Sequence, residues 1–274
     1  MRSLDVGRAR QAARRILERA GVVAPDQIDL EQIARRHGAT VVVGPLEGAT
    51  ARLIRVGTGA VIRVSDRVTH PGARRFSIAH ELGHLVLGHV LPRPDAGVAD
   101  WAIGAAHLRQ RGRGEVDPEV EANAFAAELL IPEALARRRC EVSPVDLTPA
   151  RGIAREFRTS LVASAVRFVE LASERCAVVF AERGRVQWAV PSATFTADIP
   201  RGVPLDRASV AHDYMRKGAI DDAPQAVPAA AWIDDPTGEV EVIEHATVLD
   251  DLGAVLAMLW VPETAAAQLS MTDA

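Results

Sequence analysis

His80-Glu81-Leu82-Gly83-His84 is the one stretch of this chain whose residue types and spacing declare a chemistry. On a helix, positions i and i+4 lie one above the other, so two imidazoles at this spacing project from one face and suit two ligands of a tetrahedral Zn²⁺. Glu81, beside the first histidine, is then free to act on a water as a general base. A catalytic zinc site takes three protein ligands and keeps a fourth position open, so a third ligand is required. A third histidine six residues beyond His84 is excluded, because Val90 stands there and His89 falls one place short. A glutamate from a later helix is the remaining source. The segment PEVEANAFAAELLI from Pro118 offers Glu119, Glu121 and Glu128, and spacing alone leaves all three open.

The elements that must hold these residues can be read from pattern. Residues 8–20, RARQAARRILERA, form an amphipathic helix with Ala12, Ile16 and Ala20 inward and the arginines as a solvated face; Gly21 stops it. A short helix follows over Asp29–His37. Val41–Val43, Ala51–Val56 and Ala60–Val64 are β-branched runs, the last two joined across Gly57-Thr58-Gly59, and together they predict a small antiparallel sheet. A substrate segment could add along the strand near Ala60–Val64. The helix bearing the histidine pair runs from Ala73 to His89, so His89 reads as a helix-end residue, the alternative being a residue that supports a metal ligand. Residues 90–116 have no clear period and read as a long connection. Asp117-Pro118 caps a helix through about Ile131, and Pro149–Leu171 reads as one further helix.

From Cys176 the pattern turns to strands: CAVVF and RVQWAV across AERG, then EVEVIEHATVL and GAVLAMLWV across a second turn, with a helix within Asp206–Gly218 between the pairs. The whole is α+β, with a boundary placed at 172/173 between a first domain and a β-rich regulatory or sensor-like one. Trp188, Trp232 and Trp260 read as core of the second region rather than as a ligand pocket. Cys140 and Cys176 stand in no CxxC pair, and nothing near Cys176 would activate its thiol as a redox sensor. The net charge of −4 offers no basic field for nucleic acid or an anionic membrane. With no apolar run long enough to span a bilayer and no leader pattern, a cytoplasmic protein is expected.

FSIAHELGHLVLGH followed by EVEANAFAAELLIP closely resembles the ImmA/IrrE family of zinc metallopeptidases. Arg75, Phe76, Ser77, Ala79 and His80–His84 match its first block. Glu121, Ala122, Asn123, Phe125, Ala126, Leu129, Leu130 and Pro132 match its second. The resemblance spans about residues 8–170 and implies a minimal gluzincin-like domain. It implies one Zn²⁺ held by His80, His84 and Glu121, with Glu81 as the catalytic carboxylate; Glu128 is the fallback third ligand. It implies cleavage of a helix-turn-helix repressor of the XRE type, derepressing stress or mobile-element genes. The alternative is a non-catalytic metal-containing regulator that sequesters a transcription factor. An oxyanion donor is not evident: the only tyrosine, Tyr214, lies outside the resemblance, and His107 and the arginines of 107–113 read as solvated loop residues.

Overall fold

The computed structural model describes residues 4–89, 117–234 and 240–270. The expectations for 90–116, including His107 and its neighbouring arginines, lie outside the described residues. Two compact units divide the chain: residues 1–136 with 153–164, and residues 137–152 with 165–274. The α+β architecture is present, with helices and a small sheet first and a separate β-rich sheet after.

In the first unit, helix α1 (Leu4–Ala20) is followed by α2 (Leu30–Arg36), whose cap is the Asp29 side chain accepting from Gln32 N–H. The buried stripe of α1 is Ala9, Ala13, Ile16 and Leu17. It is turned from the predicted one, because the i, i+4, i+7, i+8 set starting at Ala9 supplies the larger apolar surface. Strands β1 (Ala39–Gly44), β2 (Ala51–Val56) and β3 (Gly59–Ser65) form a sheet in the order β1-β3-β2. The β2–β3 hairpin is antiparallel, as its Gly57 turn predicts, while β1 lies parallel to β3. Ala60–Val64 is therefore the middle of the sheet, paired on both sides. It cannot receive a substrate strand, and that expectation moves to an edge.

Helix α3 (Pro71–Leu87) starts on a His70 cap with Pro71 at its first position, and ends at Gly88, whose φ of 72° is left-handed. It thus starts and ends two residues earlier than expected, and His89 lies beyond it. Helix α4 (Pro118–Leu130) opens on the Asp117 cap, and α5 (Glu133–Cys140) follows Pro132. The predicted single helix over 149–171 is two, α6 (Thr148–Phe157) and α7 (Leu161–Leu171). Arg158 takes a left-handed φ of 55° between them, and the Ser160 hydroxyl caps α7 by accepting from Ala163 N–H. Gly72 packs on that break: a Cβ there would stand 2.4 Å from Ser160 N.

The second unit is built on a five-stranded antiparallel sheet of order β5-β4-β8-β7-β6, from β4 (Cys176–Glu182), β5 (Arg185–Pro191), β6 (Gln225–Pro228), β7 (Glu241–Leu249) and β8 (Ala254–Trp260). Helix α8 (Val210–Lys217) lies in the interval predicted for it, and α9 (Glu263–Ser270) follows β8. Glu244 reaches the start of α8 and accepts from Val210 N–H, Ala211 N–H and Trp232 Nε1–H, although burial pushes its carboxyl upward. Trp188 stacks on Phe180 at 5.2 Å, and Trp260 donates to Glu174. Trp188 and Trp232 are buried and Trp260 is half-buried, while Trp188 Nε1 finds no acceptor among the described residues. Burial pushes the Cys140 and Cys176 thiols up to about 11 and about 12, which removes the thiolate that redox sensing needs. Among the described residues no helix is long and apolar enough to cross a membrane.

Candidate metal centre

Helix α3 is packed against α4, and the glycine between the two histidines is what lets them approach. A Cβ on Gly83 would lie 3.1 Å from Phe125 Cδ1 and 3.2 Å from Ala122 Cα, inside the buried seam. Gly83→Ala is expected to force α4 outward: the overpacking cost of about 1–3 kcal/mol exceeds the roughly 1 kcal/mol that helix propensity returns. Thermal unfolding should show a lower midpoint, and metal titration a weaker site, because α4 carries the residues described next. An unchanged midpoint and unchanged affinity would remove this role from Gly83.

At the seam His80 Nε2 and His84 Nε2 come within 2.9 Å. Glu119 closes the triangle, with Oε2 3.2 Å from His80 Nε2 and Oε1 3.4 Å from His84 Nε2. The three donor atoms form the group among the described residues that could hold a metal ion. Zn–N and Zn–O bonds of about 2.0–2.1 Å imply tetrahedral edges of about 3.3 Å, close to the separations observed.

The protons also fit. His80 Nδ1 lies 2.8 Å from Asn123 Oδ1, an acceptor, which assigns the ring proton to Nδ1 and leaves the Nε2 lone pair facing the triangle. Burial opposes charge at His80, yet its contacts with Glu119 and Glu81 raise its pKa. Burial likewise opposes the Glu119 carboxylate, and the two histidines hold it far below the ordinary carboxyl range. A carboxylate and two imidazole nitrogens converging in a partly buried pocket are a donor set for a borderline cation such as Zn²⁺.

Glu121, the third ligand implied by the resemblance, is not brought to the histidine pair. Its Oε1 accepts from Arg8 Nε at 3.1 Å, and its Oε2 from Arg8 Nη2 at 3.2 Å and from His89 Nε2 at 3.0 Å. Glu128 also turns toward α1, accepting from Arg14 Nε at 2.9 Å. Residues 119 and 121 lie about 200° apart around a helix, so one faces α3 only if the other faces away. Asn123, four after Glu119 and on its face, carried the missing signal: the residue that bonds His80 marks the face of the third donor. His89 takes the less favoured of its two sequence readings, beside a histidine of the pair rather than at the helix end. Gly88 turns the chain so that His89 N–H donates to His84 O at 3.0 Å and the His89 ring returns to His84. Two arginines of α1 thus have partners on α4 rather than forming a wholly solvated face.

Glu81 is not among the three converging donors, although its charge acts on His80. It is nearly buried, and its Oε2 accepts from the Leu53 N–H of β2 at 2.8 Å. The Leu53 N–H therefore points away from β3 although Leu53 stays opposite Ile62 in the ladder, and β2 is the sheet edge that bonds the histidine helix.

Residues 34–169 match the peptidase M78 family, described as the IrrE N-terminal-like domain. No curated protein matches the chain. Among solved structures, a Mycobacterium tuberculosis transcriptional regulator shares the fold, with a TM-score of 0.58 and 16% identity, over 97% of this chain and 79% of that one.

Proposed function

This chain belongs, through residues 34–169, to the peptidase M78 family, and on that premise we propose that it is a zinc-dependent endopeptidase acting on a helix-turn-helix repressor. The observation that carries the reading is the convergence of His80 Nε2, His84 Nε2 and a Glu119 oxygen beside Glu81. His80, His84 and Glu119 would hold the ion. Bound there, Zn²⁺ would supply Lewis acidity toward the scissile carbonyl and toward a water whose pKa falls to about 7.

The remaining work belongs to side chains and backbone. Glu81 takes the proton of the attacking water and delivers it to the leaving amine. Leu53 N–H holds Glu81 Oε2 and so fixes the carboxylate against rotation. The outward edge of β2 offers backbone groups against which an extended peptide can lie. The choice of a repressor as substrate is supported by the family resemblance and by the shared fold with a protein titled a transcriptional regulator.

Purified protein is expected to carry about one zinc per chain and to cleave a cognate XRE-type repressor, such as one encoded beside it, in a reaction abolished by a chelator and restored by zinc. Tight binding of the repressor without cleavage would favour sequestration, and protein that takes up no zinc would overturn the reading.

A further inference from the structure

His84 has two ring nitrogens, and only one tautomer can offer a lone pair to a metal at Nε2. Its Nδ1 lies 2.9 Å from His89 Nδ1, a contact that needs one proton shared between two nitrogens. The other end of the chain decides which ring supplies it. His89 Nε2 lies 3.0 Å from Glu121 Oε2, and Arg8 donates from Nε and Nη2 to the two oxygens of that carboxylate. A carboxylate accepts, so His89 carries its proton on Nε2 and presents a lone pair at Nδ1. His84 must then donate from Nδ1, which leaves Nε2 unprotonated on the side of His80 and Glu119.

We propose that His89 and Glu121 are positioning residues that set the tautomer and ring orientation of His84 for metal binding, a role resting on the zinc-site reading above. His84, His89 and Glu121 are all buried, so water does not compete for these bonds. The left-handed Gly88 makes the relay possible by ending α3 and folding His89 back. The two ligand histidines thus have separate supports two residues apart on α4: Asn123 directly for His80, and Glu121 through His89 for His84. The relay also gives Glu121 a function that does not require it to touch the metal.

The test is zinc affinity of the full chain, measured by competition with a chromophoric chelator, for wild type, His89→Phe, His89→Gln, Glu121→Ala and the control His37→Ala. Supporting partners of ligand histidines are worth about 10–100-fold in metal affinity, and losses in that range are expected for His89→Phe and Glu121→Ala, with His37→Ala unchanged. Phe keeps the ring and loses the acceptor, whereas Gln loses the ring and keeps a carbonyl. A packing role makes Phe the milder change; the relay makes Gln the milder one, binding at least about threefold tighter than Phe within that range. Circular dichroism identifies any variant that has not folded, and the judgement then rests on those that have. Wild type binding zinc while His89→Phe binds it equally, or while Gln is no better than Phe, overturns the relay alone. Wild type binding no zinc overturns the zinc-site reading and the relay with it.

Discussion

Glu119→Ala is expected to purify with almost no zinc and to bind added zinc at least about a hundredfold more weakly than wild type, exceeding the loss from any supporting residue. Without Glu119 only two neutral imidazoles face the centre, and nothing neutralises a divalent charge. Glu128→Ala provides the contrast, since its carboxylate turns to Arg14 and to the Glu133 N–H rather than to the histidines. It should keep its zinc while losing thermal stability, because it removes a buried carboxylate that accepts from Arg14 and from the Glu133 N–H. Elemental analysis of identically purified proteins reads the first effect, and thermal unfolding the second. Glu119→Ala retaining stoichiometric zinc while Glu128→Ala loses it would transfer the third-ligand role to Glu128.

That contrast also shows where the sequence was sufficient and where it fell short. The histidine pair needed only a helix, and Asp117-Pro118 was enough to open the helix carrying the third donor. Choosing among three glutamates on that helix required its rotation relative to α3, a tertiary quantity set by Gly83 against Ala122 and Phe125. The turn at Gly88 is one residue long and reverses the meaning of His89: read as a continued helix it is an end residue, whereas read past a left-handed cap it returns to His84. The hairpin β2–β3 was legible from Gly57-Thr58-Gly59, but the parallel placement of β1 was not, since long connections do not fix strand direction. The break at Arg158 is likewise a packing effect, a non-glycine residue in left-handed conformation beside the Gly72 contact. Local punctuation specified the elements; the chemistry depends on their registration.

Glu81→Gln should leave that registration intact and still abolish most of the reaction. The amide oxygen can accept from Leu53 N–H as the carboxylate does, and position 81 is not among the three converging donors, so zinc content and unfolding midpoint should match wild type. What is lost is the base. Gln cannot take a proton from water or return one to the amine, and positioned acid–base groups contribute about 10²–10⁴-fold. Turnover of a repressor substrate should fall by that factor, with the substrate concentration for half-saturation little changed, the signature of a group acting only in the transition state. Loss of zinc in this variant would place Glu81 among the structural supports of the site. Full zinc with more than a tenth of wild-type turnover would remove the proton shuttle from Glu81 and leave the metal centre without its base.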